Sequence, residues 1–248
     1  MPSPSEIPVL ETLSFVLDSV TAPPCRLLEV GCGAGELAAR LGSLGFTVVG
    51  IDSDAGAVRA ARDRGVDARV ACWPEHDDAP FDAVLFTRSL HHLHPLPHAV
   101  ARARELLAPS GVVIVEDFAF HDADERTVAW FQGFLRGLRV AGAIGADAEC
   151  FARAVLESDD PLGTWHGYHA HELNPAHAMR STLGDHFDLV VEHDCPYLYR
   201  YLIPLLEGNG ADTRVLREAL VQERAMAAEG VIALIGRRLV GRYPVVVS

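Results

Sequence analysis

Three glycines at positions 31, 33 and 35 stand between an apolar run and a helical pattern, and they constrain this chain more than any other feature. The run is Arg26-Leu-Leu-Glu-Val30, a strand by its content. The pattern runs from Glu36 to Leu44 and stops at Gly45. A turn that tight needs residues without a Cβ, and it lets a ligand approach the backbone. The helix after it points free N–H groups at the same place. Phe46 to Ile51 is a second strand, ending at Asp52, 17 residues after Gly35. A carboxylate there can accept both hydroxyl hydrogens of a ribose. The combination predicts a site for an adenosine-containing cofactor.

The alternation continues down the chain. Asp54 to Arg64 is helical, Val66 to Ala71 a weak strand, and Phe81 to Thr87 a strand. Leu96 to Leu107 is helical, Pro109-Ser110-Gly111 is a turn, and Val112 to Asp117 is a strand. Runs this apolar suit strands buried on both faces, so the fold class is α/β with a parallel sheet. From 121 to 180 no strand signal appears, and this stretch is expected as a helical insert capping the substrate side. Residues 186–194 and 231–240 are the last strands, with a long helix between them. Tyr197, Tyr199 and Tyr201, read as alternating strand residues, would share one face. The whole of 1–248 is expected as one domain.

Charge narrows the partners. Asp plus Glu is 34 against 21 for Lys plus Arg, a formal net charge of −13. That surface repels phosphate backbones and anionic membranes, so neither is expected as a partner. The N-terminus has no basic segment leading an apolar run, and no apolar stretch approaches the roughly 18 residues of a membrane span. The 5 cysteines are scattered without a CxxC pair, which fits a reducing cytoplasm and neither a disulfide framework nor a zinc site. No metal is expected. A small-molecule substrate is, and a homodimer is left open.

Spacing selects the cofactor. A dinucleotide fingerprint wants its third glycine at the position held by Glu36, whose carboxylate suits a pyrophosphate poorly. No Lys-Ser/Thr follows the glycines, so a triphosphate loop fails as well. Glu29 makes the site more acidic and favours a cofactor carrying positive charge, such as a sulfonium with an amino group.

Four segments together carry a resemblance: Leu28-Glu-Val-Gly-Cys-Gly-Ala-Gly35, Val49-Gly-Ile-Asp52, Phe81-Asp-Ala-Val-Leu-Phe86 with Leu90-His-His-Leu93, and Leu106-Leu-Ala-Pro-Ser-Gly-Val112. As a set they resemble the class I S-adenosylmethionine-dependent methyltransferases of small-molecule type. The resemblance implies a Rossmann-like, seven-stranded, mostly parallel sheet with helices on both faces, its last strand antiparallel, and the insert between strands 5 and 6. It implies S-adenosyl-L-methionine as cofactor. Gly31 and Gly33 would line its methionine portion, with Cys32 and Gly35 in the same loop. Asp52, beside Ser53, would hold the ribose, Glu29 would lie beneath the amino-acid moiety, and Thr87 joins the set from strand 4. The family's acidic residue at the end of strand 3 is missing; Cys72 and Trp73 stand there to contact adenine, with Asp77 or Asp78 nearby as the alternative.

The expected reaction is methyl transfer to oxygen or nitrogen, less favourably carbon, of a small, partly apolar molecule. A base is needed only if the nucleophile is protonated at neutral pH, and imidazole is the natural candidate. The candidates are His91, His92, His121, His169 and His171. Two other readings stay open: a cofactor-binding protein that transfers nothing, and a protein methyltransferase.

Overall fold

A computed structural model describes residues 4–78, 80–144, 150–169, 172–207 and 213–243. Its strands and helices in chain order are α1 (Glu6–Ser19), β1 (Arg26–Val30), α2 (Glu36–Ser43), β2 (Thr47–Asp52), α3 (Ala55–Asp63), β3 (Asp67–Val70), β4 (Phe81–Thr87), α4 (Leu96–Leu106), β5 (Leu107–Phe118), α5 (Glu125–Val140), α6 (Phe151–Glu157), α7 (Pro161–Tyr168), α8 (Ala176–Gly184), β6 (Asp188–Cys195), α9 (Ile203–Glu207), α10 (Thr213–Ala228) and β7 (Gly236–Arg242). Seven strands form one sheet in the order β3-β2-β1-β4-β5-β7-β6. The pairs from β3 through β5 are parallel. The expected Rossmann-like, mostly parallel α/β fold is therefore the one observed.

Two compact units account for the chain. One comprises Val9–Asp117, Asn174–His193 and Arg237–Ser248, and contains the sheet. Alternate strand residues supply its two cores. Leu27, Ala83, Leu85, Val112 and Ile114 pack with α1, α2 and α3, while Leu28, Val84, Phe86, Val113 and Val115 pack with α4 and α8. Each such Leu, Val or Phe, fully buried, stabilises the fold by about 1.5–3 kcal/mol relative to an exposed one.

The other unit comprises Met1–Pro8, Phe118–Leu173 and Asp194–Gly236. The described part of the stretch expected at 121–180 is helical without a strand and runs on through α8; up to Leu173 it belongs to this unit, whose core the excursion between β6 and β7 joins. Asp124 caps α5 by accepting the Thr127 amide at 2.8 Å. The buried Gln132 amide donates to the Val155 and Ser158 carbonyls, tying down the end of α6. Trp165 is fully buried and donates from Nε1 to the Phe120 carbonyl.

Three local expectations are corrected. Pro109-Ser110-Gly111 does not break the strand, because β5 begins at Leu107 and absorbs these residues in a register shift. Three residues of β4, Phe81 to Ala83, stand opposite six of β5, Leu107 to Val112. The tyrosines do not share a strand face, because Leu198–Leu202 is a 3-10 helix. Its first amides, at Tyr197, Leu198 and Tyr199, all donate to the buried Glu223 carboxylate. The last strand starts at Gly236 rather than at residue 231.

Candidate active site

The glycine turn leaves β1 with all three glycines in the left-handed region, at φ +73°, +53° and +76° for Gly31, Gly33 and Gly35. A Cβ at Gly31 would lie 2.7 Å from Ser89 Cβ, and one at Gly35 would lie 2.8 Å from Ala61 Cβ. At Gly33 a Cβ would meet nothing within 4 Å, so its backbone stands clear of neighbouring protein. Gly31 and Cys32 both donate to the Ile51 carbonyl, which seats the turn on the end of β2.

Asp52 closes that seat. Its Oδ2 accepts the Gly33 amide and its Oδ1 the Asp54 amide, each at 2.9 Å. The carboxylate therefore staples the turn to the start of α3, while Asp54 itself caps that helix. A cleft of about 260 Å³ opens beside it at the ends of β1, β2 and β4. Five expected site residues line it: Gly31, Asp52, Ser53, Trp73 and His92. The Trp73 indole is fixed as a wall. It donates to the Ala99 carbonyl at 3.1 Å and meets Phe86 edge-on, with ring centroids 5.7 Å apart. Cys72 is exposed between the cleft residues Ala71 and Trp73.

The side chains of Cys32 and Thr87 both make contacts within the protein. The Cys32 sulfur is buried against Gly50, and burial pushes its thiol up to about 12. Thr87 is buried and donates to Glu29 Oε1 at 2.9 Å. Glu29 is itself 2% exposed, and no hydrogen bond reaches its Oε2. Burial raises its carboxyl to about 7, against smaller opposing effects from the Thr87 hydroxyl and the Arg88 charge.

The histidines fall in different surroundings. His91 and His92 form a single 3-10 turn, Leu90–His92, after β4, with ring centroids 4.0 Å apart. Asp117, fully buried at the end of β5, accepts the His91 amide on Oδ2 at 3.1 Å. Its Oδ1 lies 2.6 Å from His91 Nδ1. In the helical unit His121 is exposed beside Phe120. His169 is buried there, with Nδ1 2.8 Å from the Trp165 carbonyl and Nε2 3.3 Å from the Tyr201 hydroxyl. A carbonyl can only accept, so Nδ1 carries a proton. His171 lies outside the described residues.

Sequence reasoning passed over Arg88 and Ser89, which also line the cleft. Ser89 donates to the Val30 carbonyl at 2.6 Å and fills the space against Gly31. Their only sequence signal is position, just after β4 where ligands of parallel sheets bind. Among the described residues no cluster of three or more His, Cys, Asp or Glu is placed to share a metal ion, and no helix is long and apolar enough to cross a membrane.

Residues 9–181 match the family described as the methyltransferase domain. The chain belongs to that family. With membership stands S-adenosyl-L-methionine as the cofactor. The residues fit it: an unmatched buried carboxylate oxygen suits an ammonium, and the clear backbone at Gly33 leaves room for a ligand. The chain is 36% identical over 99 residues to an uncharacterized methyltransferase of Mycobacterium tuberculosis, covering 37% of this chain and 50% of that protein. It is 36% identical over 104 residues to the 27-O-demethylrifamycin SV methyltransferase of Amycolatopsis mediterranei, covering 38% of each. The chain thus spans half or less of the length of these curated relatives. Among solved structures, the [4+2]-cyclase SpnF superposes with a TM-score of 0.58 at 17% identity, covering 95% of this chain and 80% of that one. At that identity the likeness is one of fold.

Proposed function

We propose that this chain transfers a methyl group from S-adenosylmethionine to an oxygen or nitrogen, less favourably a carbon, of a small and partly apolar molecule. The observation that carries the reading is the cleft at the ends of β1, β2 and β4, with the glycine turn and Asp52 on one side and the His91-His92 turn on the other. Similarity to a methyltransferase named for 27-O-demethylrifamycin SV supports a small-molecule acceptor. The net charge of −13 weighs against nucleic acid and anionic membrane. Five unbridged cysteines support a reducing, cytoplasmic setting.

In this reading Asp52 receives the ribose hydroxyls on the lone pairs its two amide bonds leave over. Trp73 walls the adenine. The turn at Gly31 and Gly33 follows the methionine portion. When bound, the cofactor supplies a methyl group already activated on a sulfonium. The chain's remaining task is to hold a nucleophile in line and accept its proton. Positioning alone can supply about 7–11 kcal/mol of barrier reduction. His92 lines the cleft, and His91 beside it is anchored by Asp117, so the base is assigned to this pair rather than to His121 or His169. Asp117 fixes His91 in place by accepting its amide.

Calorimetry with S-adenosylhomocysteine tests the cofactor half. Asp52→Ala should weaken binding at least tenfold, about 1.4 kcal/mol, and unchanged affinity in a folded variant refutes the assignment. A mass-spectrometric screen of hydroxy- and amino-bearing small molecules tests the transfer half. His91→Ala should lower turnover more than tenfold on an acceptor that must lose a proton. Tight cofactor binding with no methylated product in that screen would favour a protein that keeps the fold without transfer.

A further inference from the structure

The turn that carries His91 is held by a residue far along the chain. Asn174 is buried, and its backbone amide donates to the His91 carbonyl at 2.8 Å. Its side-chain amide donates to the Leu90 carbonyl at 3.1 Å and to the Leu93 carbonyl at 2.9 Å. All three N–H hydrogens of one residue therefore go to one short turn. A carbonyl can only accept, so both side-chain bonds come from Nδ2, and the orientation of the amide is fixed by its partners. An aspartate has the same shape but, ionised, no hydrogen to give there.

Local sequence leaves Asn174 available for this. It precedes Pro175, which disfavours helical backbone in the residue before it, and α8 begins only at Ala176. An asparagine at a helix start ordinarily accepts an amide of the first turn. Asn174 lies one residue too early for that role, since Pro175 holds the cap position of α8, and its side chain donates to the histidine turn instead. Asp117 grips the same turn by its amide side, accepting the His91 N–H at 3.1 Å, with Oδ1 2.6 Å from His91 Nδ1. A carboxylate that close selects the ring tautomer with its proton on Nδ1 and leaves Nε2 to accept another. The chain leaves the sheet unit after Asp117 and re-enters it at Asn174, so the two residues that grip the turn flank the whole excursion 118–173.

We propose that Asn174 is a positioning residue for methyl transfer. It fixes the carbonyl side of the Leu90–His92 turn as Asp117 fixes the amide side, and the two together aim the His91 ring at the proton of the nucleophile. This assignment rests on the reading of His91 as a base given above. A displacement of about 1 Å at a reacting group can cost roughly a hundredfold in rate. A turn of three residues has little stiffness of its own, so the aim of His91 depends on what clamps the turn from outside.

The test is made on the full chain with Asn174→Asp, which keeps the shape and the backbone bond and loses both side-chain donors. Nitrogen-15 shifts of the His91 ring, identified by their loss in His91→Gln, are read at pH 8. Wild type should show the proton settled on Nδ1, and the variant should move towards a mixture of the two tautomers. Calorimetry with S-adenosylhomocysteine should give affinities within about threefold of each other. On an acceptor that must lose a proton, kcat should fall at least about tenfold while the acceptor KM stays within about threefold. Should Asn174→Asp fail to fold, Asn174→Ala removes the same donors without adding charge and is read in the same way. Unchanged His91 shifts in a folded variant overturn the proposal. A loss of cofactor affinity as large as the loss in kcat also overturns it, by showing that Asn174 supports the cleft as a whole. Turnover untouched by His91→Ala overturns the base reading itself, a result distinct from either because the ring shifts are measured without an acceptor.

Discussion

Glu29 has one oxygen held by Thr87 and one left bare, and its carboxyl sits near 7 instead of the ordinary 4.5. Between those two values the folded chain binds more protons at this site than the unfolded chain does. Stability in the absence of cofactor therefore falls as pH rises from about 4.5 to about 7. Glu29→Gln removes that slope. The variant should be more stable than wild type at pH 8, by at most on the order of 3 kcal/mol, and nearly equal to it at pH 4.5. Urea unfolding at both pH values reads this directly. Cofactor affinity runs the other way, because an ammonium needs the ionised carboxylate. Binding of S-adenosylhomocysteine should tighten from pH 6 to 8 in wild type and stay flat in the variant. A parallel pH profile for the two proteins would show that Glu29 is not the group responsible.

Strand β1, the glycine turn and α2 were legible because their requirements are local: an apolar run, three positions without Cβ and a helical repeat. Substitutions there should separate space from strain. Gly31→Ala meets Ser89 Cβ at 2.7 Å on top of a φ of +73°, whereas Gly33→Ala has the strain without the collision. Gly33→Ala should cost about 1–2 kcal/mol and Gly31→Ala distinctly more, as read from urea midpoints. Equal losses would mean that Ser89 yields freely. Features fixed by distant partners escaped the sequence. The 3-10 turn at Leu198–Leu202 depends on Glu223, more than twenty residues on, to receive its amides. The conformation of Arg88 depends on a bond to Glu116. Pro109-Ser110-Gly111 has turn composition whether it ends a strand or bulges within one, and only pairing with β4 decides. Cys32 reads as a ligand-loop residue, yet the glycine at position 50 makes the room its sulfur fills.

At the scale of the whole chain, the residues assigned to the cofactor belong to the sheet unit, and the aromatic core around Trp165 and His169 belongs to the helical one. The β1-to-β4 framework was readable because each strand there is continuous, whereas the helical unit is assembled from three separate stretches of chain that no periodicity links. The five cysteines are spread across both units and differ widely in exposure. Cys25, Cys32 and Cys195 are buried, Cys150 is half-buried and Cys72 is exposed. Thiolates are the reactive form, and burial holds the Cys25 and Cys32 thiols protonated. A maleimide dye added to the native protein should therefore attach first at Cys72, more slowly at Cys150, and at the other three only after unfolding. Since Cys72 stands between two residues of the cleft wall, the molecule carries its own occupancy gauge. Saturating S-adenosylhomocysteine should slow labelling at Cys72 several-fold and leave the Cys150 rate as the internal clock.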